Sequence, residues 1–193
     1  MFDPLLFIDK FKKDTNNNSF IVYREKKLKK NTVYIVFNDS LISNDKVSDF
    51  IIRSLDNIKD IKDIKNNLDS CKYKEIKNYD DFCTFINNGF TVILFDNTGL
   101  AFETKGNLNR SVSSPTTENA IRGAKDALIE DYQTNIGLIK KRIKSNDLWI
   151  KEMEKGRYTK SKIGICYVNG IAKDDLIRKI EDKINSIDID GII

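Results

Sequence analysis

The sequence predicts a mixed α/β (α+β) chain made of two similar small lobes, each strand–turn–strand–helix, joined by a polar linker. Three observations carry this. VYIVFNDSLISNDKV at 33–47 overlays IGICYVNGIAKDDLI at 163–177 as strand, polar turn, apolar pair and acidic helix entrance. The same offset sets FIVYREKKLKK beside IKEMEKGRYTK. Between the halves, residues 106–117 are rich in Gly, Asn, Ser, Thr and Pro and almost devoid of apolar side chains. The expected division is therefore a first lobe at 1–105, a linker at 106–117 and a second lobe at 118–193.

Along the chain, Leu5, Leu6, Ile8 and Phe11 suggest a short helix that ends at the Asn-rich turn before Phe20. Strands are expected from Phe20 to Lys27 and from Val33 to Phe37, where the apolar run reads as buried on both sides. Val47, Phe50, Ile51 and Leu55 recur at helical spacing after Asn44, and Ile58, Ile61 and Ile64 form a thinner stripe beyond them. A short helix from Asp80 should close at Asn88-Gly89. Phe90 to Phe95 reads as a buried strand, with a return strand from Leu100 to Thr104. In the second half a helix is expected from Asp126 to Ile143, its core stripe Leu128, Tyr132, Ile136, Ile139 and Ile143. Strands at 148–154 and 162–168 follow, and a last helix begins near Asp174, with Leu176, Ile177, Ile180, Ile184 and Ile187 on one face.

Composition narrows function. Lys and Arg number 33 against 29 Asp and Glu, and a net charge of +4 is too small to imply a polyanionic partner. No recognisable nucleic-acid motif is present, so no nucleic-acid partner is expected. There is no histidine, no P-loop and no G-x-S-x-G, so neither an enzyme nor a metal or cofactor site is expected. Cys71, Cys83 and Cys166 are odd in number, lack C-x-x-C spacing, and read as reduced and packed. No apolar run approaches the length of a membrane span, and the N-terminus lacks the pattern of an export signal.

Polar residues within 118–146 are the candidates for function. Asn135 lies within the helix's apolar stripe, where an unpaired amide costs about 1–3 kcal/mol, so it should bond a backbone, a ligand or a neighbouring chain. Thr134 precedes it. Arg122-Gly123 stands before the helix, suited either to an anion or to pairing with Glu118, Glu130 or Asp131. Lys140, Lys141, Arg142 and Lys144 close the helix where cations complement its dipole. Arg157 sits in the turn between the last two strands.

These stretches carry a resemblance. ENAIRGAKDALIEDYQTNIGLIKKRIK, GRYTKSKIGICYVNGIA and KINSIDIDGI, in this order and spacing, resemble the A subunits of the GerA family of spore germinant receptors, and FTVILFDNTGLAFETKG agrees more loosely. Arg122, Gly123, Thr134, Asn135, Arg142, Ile143, Gly156 and Arg157 match family positions. Ala124 stands where a Pro is usual, and Gln133 and Tyr158 stand in place of Arg. Lys140 and Lys141 keep the charge of arginines but not their bidentate geometry.

The resemblance implies the N-terminal region of a nutrient germinant receptor subunit, concerned with sensing, signal transmission and subunit assembly in spore germination. The alternative is direct binding of a small nutrient in the cleft between the lobes. Implied partners are further copies of the subunit and the B and C subunits. Membrane attachment, at the spore inner membrane with this region on the core side, would come only through a following domain. The second lobe is implied to be inserted into the first, so the first lobe is expected to lack its final strands within these residues.

Overall fold

The computed structural model describes residues 2–28, 31–56, 58, 63–64, 68, 73–106 and 128–192. Asp3 begins the first helix, α1 (Pro4–Asp14), by accepting from the amides of Leu5 and Leu6 with Pro4 at the first helical position, where no amide is needed. Phe7, Ile8 and Phe11 form its buried stripe, whereas Leu5 and Leu6, expected in that stripe, face out. Asn16 and Asn17 then adopt left-handed backbone, which asparagine tolerates better than most residues, and turn the chain into the sheet.

The strands are β1 (Ile21–Lys27), β2 (Thr32–Asn38), β3 (Tyr73–Ile76), β4 (Phe90–Phe95) and β5 (Thr98–Glu103). They form one antiparallel sheet in the order β1-β2-β4-β5-β3. Its central strands are apolar at successive positions because both faces are covered. Val33, Ile35, Phe37, Ile93, Phe95, Leu100 and Phe102 join one core; Val36, Val92, Leu94 and Ala101 join the other. Period-two alternation assigns each residue to its side.

The first core is closed by a continuous helical stretch: α2 (Asn44–Lys46), a π-helical segment (Val47–Ile52) and α3 (Arg53–Asp56). The wider π turn brings Val47, Ile51 and Leu55 into line at intervals of four. Phe50, expected in that stripe, is thereby turned outward. Ile58, Ile64 and Leu68 also enter this core. The second core is closed by α1 and α4 (Tyr79–Asn87), whose Phe82 touches the rings of Phe7, Phe11 and Tyr79. Helix α4 ends at Asn88-Gly89, as its sequence indicates. The β4–β5 turn is tighter than expected: Asp96 takes positive φ and β5 starts at Thr98.

In the second half lie α5 (Tyr132–Arg142), β6 (Leu148–Lys155), β7 (Ser161–Val168) and α6 (Asp174–Asn185). Strands β6 and β7 form a two-stranded antiparallel sheet. Strand, strand and helix thus recur at the spacing of the internal overlay, with the helices starting at Asn44 and Asp174. Helix α5 starts at Tyr132, six residues later than expected, because Asp131 caps it through the Thr134 amide; Leu128 is outside the helix and exposed. Residues 107–127, which include most of the expected linker as well as Arg122 and Gly123, and also Cys71, lie outside the described residues.

Among the described residues, helix α6 differs from every other long helix in burying no side chain fully. Leu176, Ile180 and Ile187 are exposed, together with Ile171, Ile189 and Ile192. Lys151 of β6 pairs with Glu181, and the Lys155 ammonium donates to the Asn185 carbonyl, so its polar edge is tied to the sheet. Two strands about 5 Å apart are too narrow to cover an amphipathic helix.

Replacing Phe82, fully buried among three rings, with Ala is expected to cost about 3–5 kcal/mol in urea unfolding.

Candidate functional site

Helix α5 is buried on opposite sides. Ile136, Gly137, Leu138 and Lys140 are inaccessible although their directions span the helix, because it lies between the β6–β7 ribbon and the five-stranded unit. On the ribbon side, cross-strand pairing puts Leu148, Ile150, Glu152, Gly164, Cys166 and Val168 on one face. Tyr132 rests on that face at Gly164, where an added Cβ would come within 2.6 Å of the phenol oxygen. On the other side Tyr132 and Phe20 have ring centroids 6.2 Å apart, and the Gln133 amide donates to Asp39.

Further contacts continue this seam. The Trp149 indole donates to the Asp14 carbonyl at 3.1 Å. The Asn87 amide donates to Asn146 at 2.7 Å, and the Lys144 ammonium to Asn88 at 2.8 Å. Ser19 donates to Glu152. Almost every link is polar, and they join the start of β1 and the ends of α1, β2 and α4 to the second half.

The centre of the seam is Lys140, only 6% exposed. Its ammonium lies 4.5 Å above the Phe20 ring and reaches Asn18 Oδ1 at 3.4 Å and Asn38 Oδ1 at 3.5 Å. Both distances are long for hydrogen bonds. Both acceptors are also shared: Asn18 Oδ1 accepts from the Phe20 amide, and Asn38 Oδ1 from the Ser40 amide and hydroxyl. Burial pulls the lysine down to about 7, opposed by the negative charge available at Cys166 and Glu152. Burial also raises the Cys166 thiol, and the nearby Lys140 lowers it. Lys140 was read from sequence as a cation at a helix end. The signal that marks it as buried is its place four residues after Ile136, on the apolar stripe.

The other sequence candidates are placed as follows. Asn135 forms a reciprocal pair with the backbone of Ile129, donating to its carbonyl at 2.6 Å and accepting from its amide at 2.8 Å. Thr134 bonds Asp131 through its amide at 2.7 Å, and its side chain also bonds that carboxylate, holding it below the usual carboxylate range. Lys141 and Arg142 lie on the exposed last turn of α5.

Arg157 is in a separate cluster. Its guanidinium grips Asp188 at 2.9 and 3.1 Å and lies 3.8 Å from Asp190, while the Arg157 and Tyr158 amides donate to the carbonyls of Ile189 and Asp190. Gly156, at φ 92°, has Gly191 against it; a Cβ there would meet Thr159 Oγ1 at 2.4 Å. The turn and the IDIDG segment, distant in sequence, form one knot.

A groove of about 620 Å³ opens beside the seam, with Lys10, Asp14 and Tyr79 from the first half and Lys144, Asp147 and Trp149 from the second. Tyr79 donates to Asp14 at 2.7 Å, and burial raises its phenol above the usual tyrosine range. Buried Cys83 and half-buried Cys166 are both free thiols. Among the described residues no His/Cys/Asp/Glu group is arranged to hold a metal ion, and no helix is long and apolar enough to cross a membrane.

The fold is that of a spore germinant receptor N-terminal domain. The crystal structure of that domain from the A subunit of Bacillus megaterium GerK3 superposes with a TM-score of 0.70 at 24% identity, over 95% of this chain and 71% of that one. The model of the Bacillus/Clostridium GerA spore germination protein family matches residues 9–193, and the chain belongs to that family. It is 27% identical to spore germination protein KA of Bacillus subtilis over 94% of its own length and 36% of that protein's. It is 36% identical to spore germination protein B1 of the same organism over 54% of its length and 22% of that protein's. The chain therefore spans about a third or less of the length of the curated relatives it matches.

Asn135→Ala is expected to cost about 1–3 kcal/mol and to abolish hydrogen-exchange protection at the Ile129 amide, which loses its acceptor. Arg157→Lys, at an exposed site, should change global stability by less than about 1 kcal/mol while measurably lowering protection at the Arg157 and Tyr158 amides.

Proposed function

We propose that this chain is the N-terminal region of a nutrient germinant receptor A subunit, and that it works without catalysis as an assembly and relay module. The observation that carries this reading is the burial of α5 on opposite sides, which ties displacement of either half to the other. Packed elements with polar, exchangeable contacts transmit rigid-body motion, whereas apolar cores resist it. Family membership and the fold shared with the GerK3 A-subunit domain support the assignment. Its partners would be further copies of the subunit and the B and C subunits. The membrane would be reached through polypeptide outside this region, at the spore inner membrane, with the domain on the core side.

Within this reading the division at 106–117 separates two lobes that move relative to each other, with Arg122 and Gly123 at the entrance to the second. Thr134 and Asn135 set the start of α5. Lys141 and Arg142, on its exposed last turn, are our candidates for contact with another subunit, and Arg157 holds the segment through which the chain leaves the second lobe.

A second reading is favoured by the groove itself, which draws Tyr79 and Trp149, together with charged groups of both signs, from the two halves. A small zwitterionic or hydroxylated nutrient would fit such a lining. Thermal shift of the purified chain against amino acids, sugars and nucleosides tests it, since a ligand at 100 times its Kd adds about 2.7 kcal/mol. A flat response across the panel removes this reading.

The relay is tested in spores carrying a full-length receptor. Asn146→Ala and Gln133→Ala remove seam bonds without touching either core, and are expected to shift the nutrient concentration for half-maximal germination at unchanged receptor abundance. An unchanged response in the double variant would rule out a relay through the seam.

A further inference from the structure

We propose that Lys140 makes the seam proton-sensitive: the two halves dock tightly while its amine is neutral and loosen when it is protonated. This rests on the seam being the place where the halves part, as in the relay reading. The geometry is that of a cation poorly provided for. Lys140 is buried beside a recess that it lines together with Thr15, Asn18, Ile21, Asn38 and Leu148, and that holds only about 10 Å³ of free space. On the five-stranded side it meets the amide oxygens of Asn18 and Asn38 and the Phe20 ring, none of them titratable. On the ribbon side the titratable groups are Glu152 of β6 and Cys166 of β7, and on its own helix Tyr132. Glu152 is already bonded by Ser19, and among the described residues Lys140 has no ion pair.

Opening the seam returns the amine to water, where its affinity for a proton is that of an ordinary lysine. Closed, the amine titrates near 7 rather than 10.5. Opening therefore takes up a proton between these values, and the open-to-closed ratio rises about tenfold for each unit of falling pH. Below about pH 7 both states are protonated and the ratio levels off. Alkali closes the seam; a fall toward neutrality loosens it. Arginine could not do this, because its guanidinium keeps its proton throughout this range.

The test is native-state hydrogen exchange on the intact chain between pH 7.5 and 9.5, corrected for intrinsic exchange. The Trp149 indole, which donates across the seam to Asp14, reports its opening, and the Val92 and Ile93 amides report global unfolding. Seam protection is expected to lie below that of β4 and to rise about tenfold per pH unit. It should be flat in both Lys140→Met, which keeps the packing, and Lys140→Arg, which keeps the charge. Direct titration of the Lys140 side chain by NMR supplies a readout that does not depend on either variant folding, with a midpoint expected near 7. A midpoint at the ordinary lysine value, a flat wild-type profile, or seam and β4 protons exchanging with identical protection would each overturn the proposal. Those outcomes would leave the germination test of the relay untouched, and a failed relay would not alter the titration.

Discussion

The structure depends on a sheet that has no wet face. Where strands β2 and β4 pair, from Val33–Phe95 to Val36–Val92, every side chain is aliphatic or aromatic and packs into or against a core. Antiparallel sheets often leave one side to solvent, but this one needs cover on both. Helices α1 and α4 supply it on one side, the Asn44–Asp56 helical stretch on the other, and together they account for nearly all the buried side chains. Each buried aliphatic or aromatic side chain contributes about 1.5–3 kcal/mol, so this unit carries most of the molecule's stability.

The seam follows from the same constraint. With both faces covered, the five-stranded unit meets the second half through strand and helix ends, where backbone turns and polar side chains gather. Asn18, Ser19, Asn38, Asp39, Asn87 and Asn88 all come from such ends. The interface is consequently polar and specific in geometry, and its few apolar contributions come from Phe20, Ile136, Leu138 and Leu148. An interface of this kind has a modest energy and a strong dependence on how each polar group is satisfied. A buried lysine held by long, shared hydrogen bonds is its least satisfied member.

Much of the fold was legible in the sequence. Strands with continuous apolar runs and helices with strong periodicity are recognisable because one face must be buried whatever the partner, and the repeat of strand, strand and helix was visible as an overlay. Strand β3 was not legible: its Tyr-Lys-Glu-Ile lies at the sheet edge with two charged residues outward, so its pattern is too short and too polar to stand out. The outward turn of Phe50 was hidden because helical spacing was assumed where the chain winds as a π turn. In the candidate site, the sequence pointed to Thr134, Asn135 and Arg157 as unusual positions, but not to their partners. Ile129 lies across a turn, and Asp188 is on a distant segment.

The sequence by itself determined most of the elements and of their apolar faces, the absence of familiar catalytic motifs and the family to which the chain belongs, because these follow from local periodicity and residue identity. Only the tertiary structure decided which cation is buried. Lys140, Lys141 and Arg142 are adjacent and chemically alike, yet helical rotation aims one into the seam and leaves the other two on the exposed side. The spacing from Ile136 gives the direction of Lys140, but how far it is desolvated depends on what the rest of the chain brings around it.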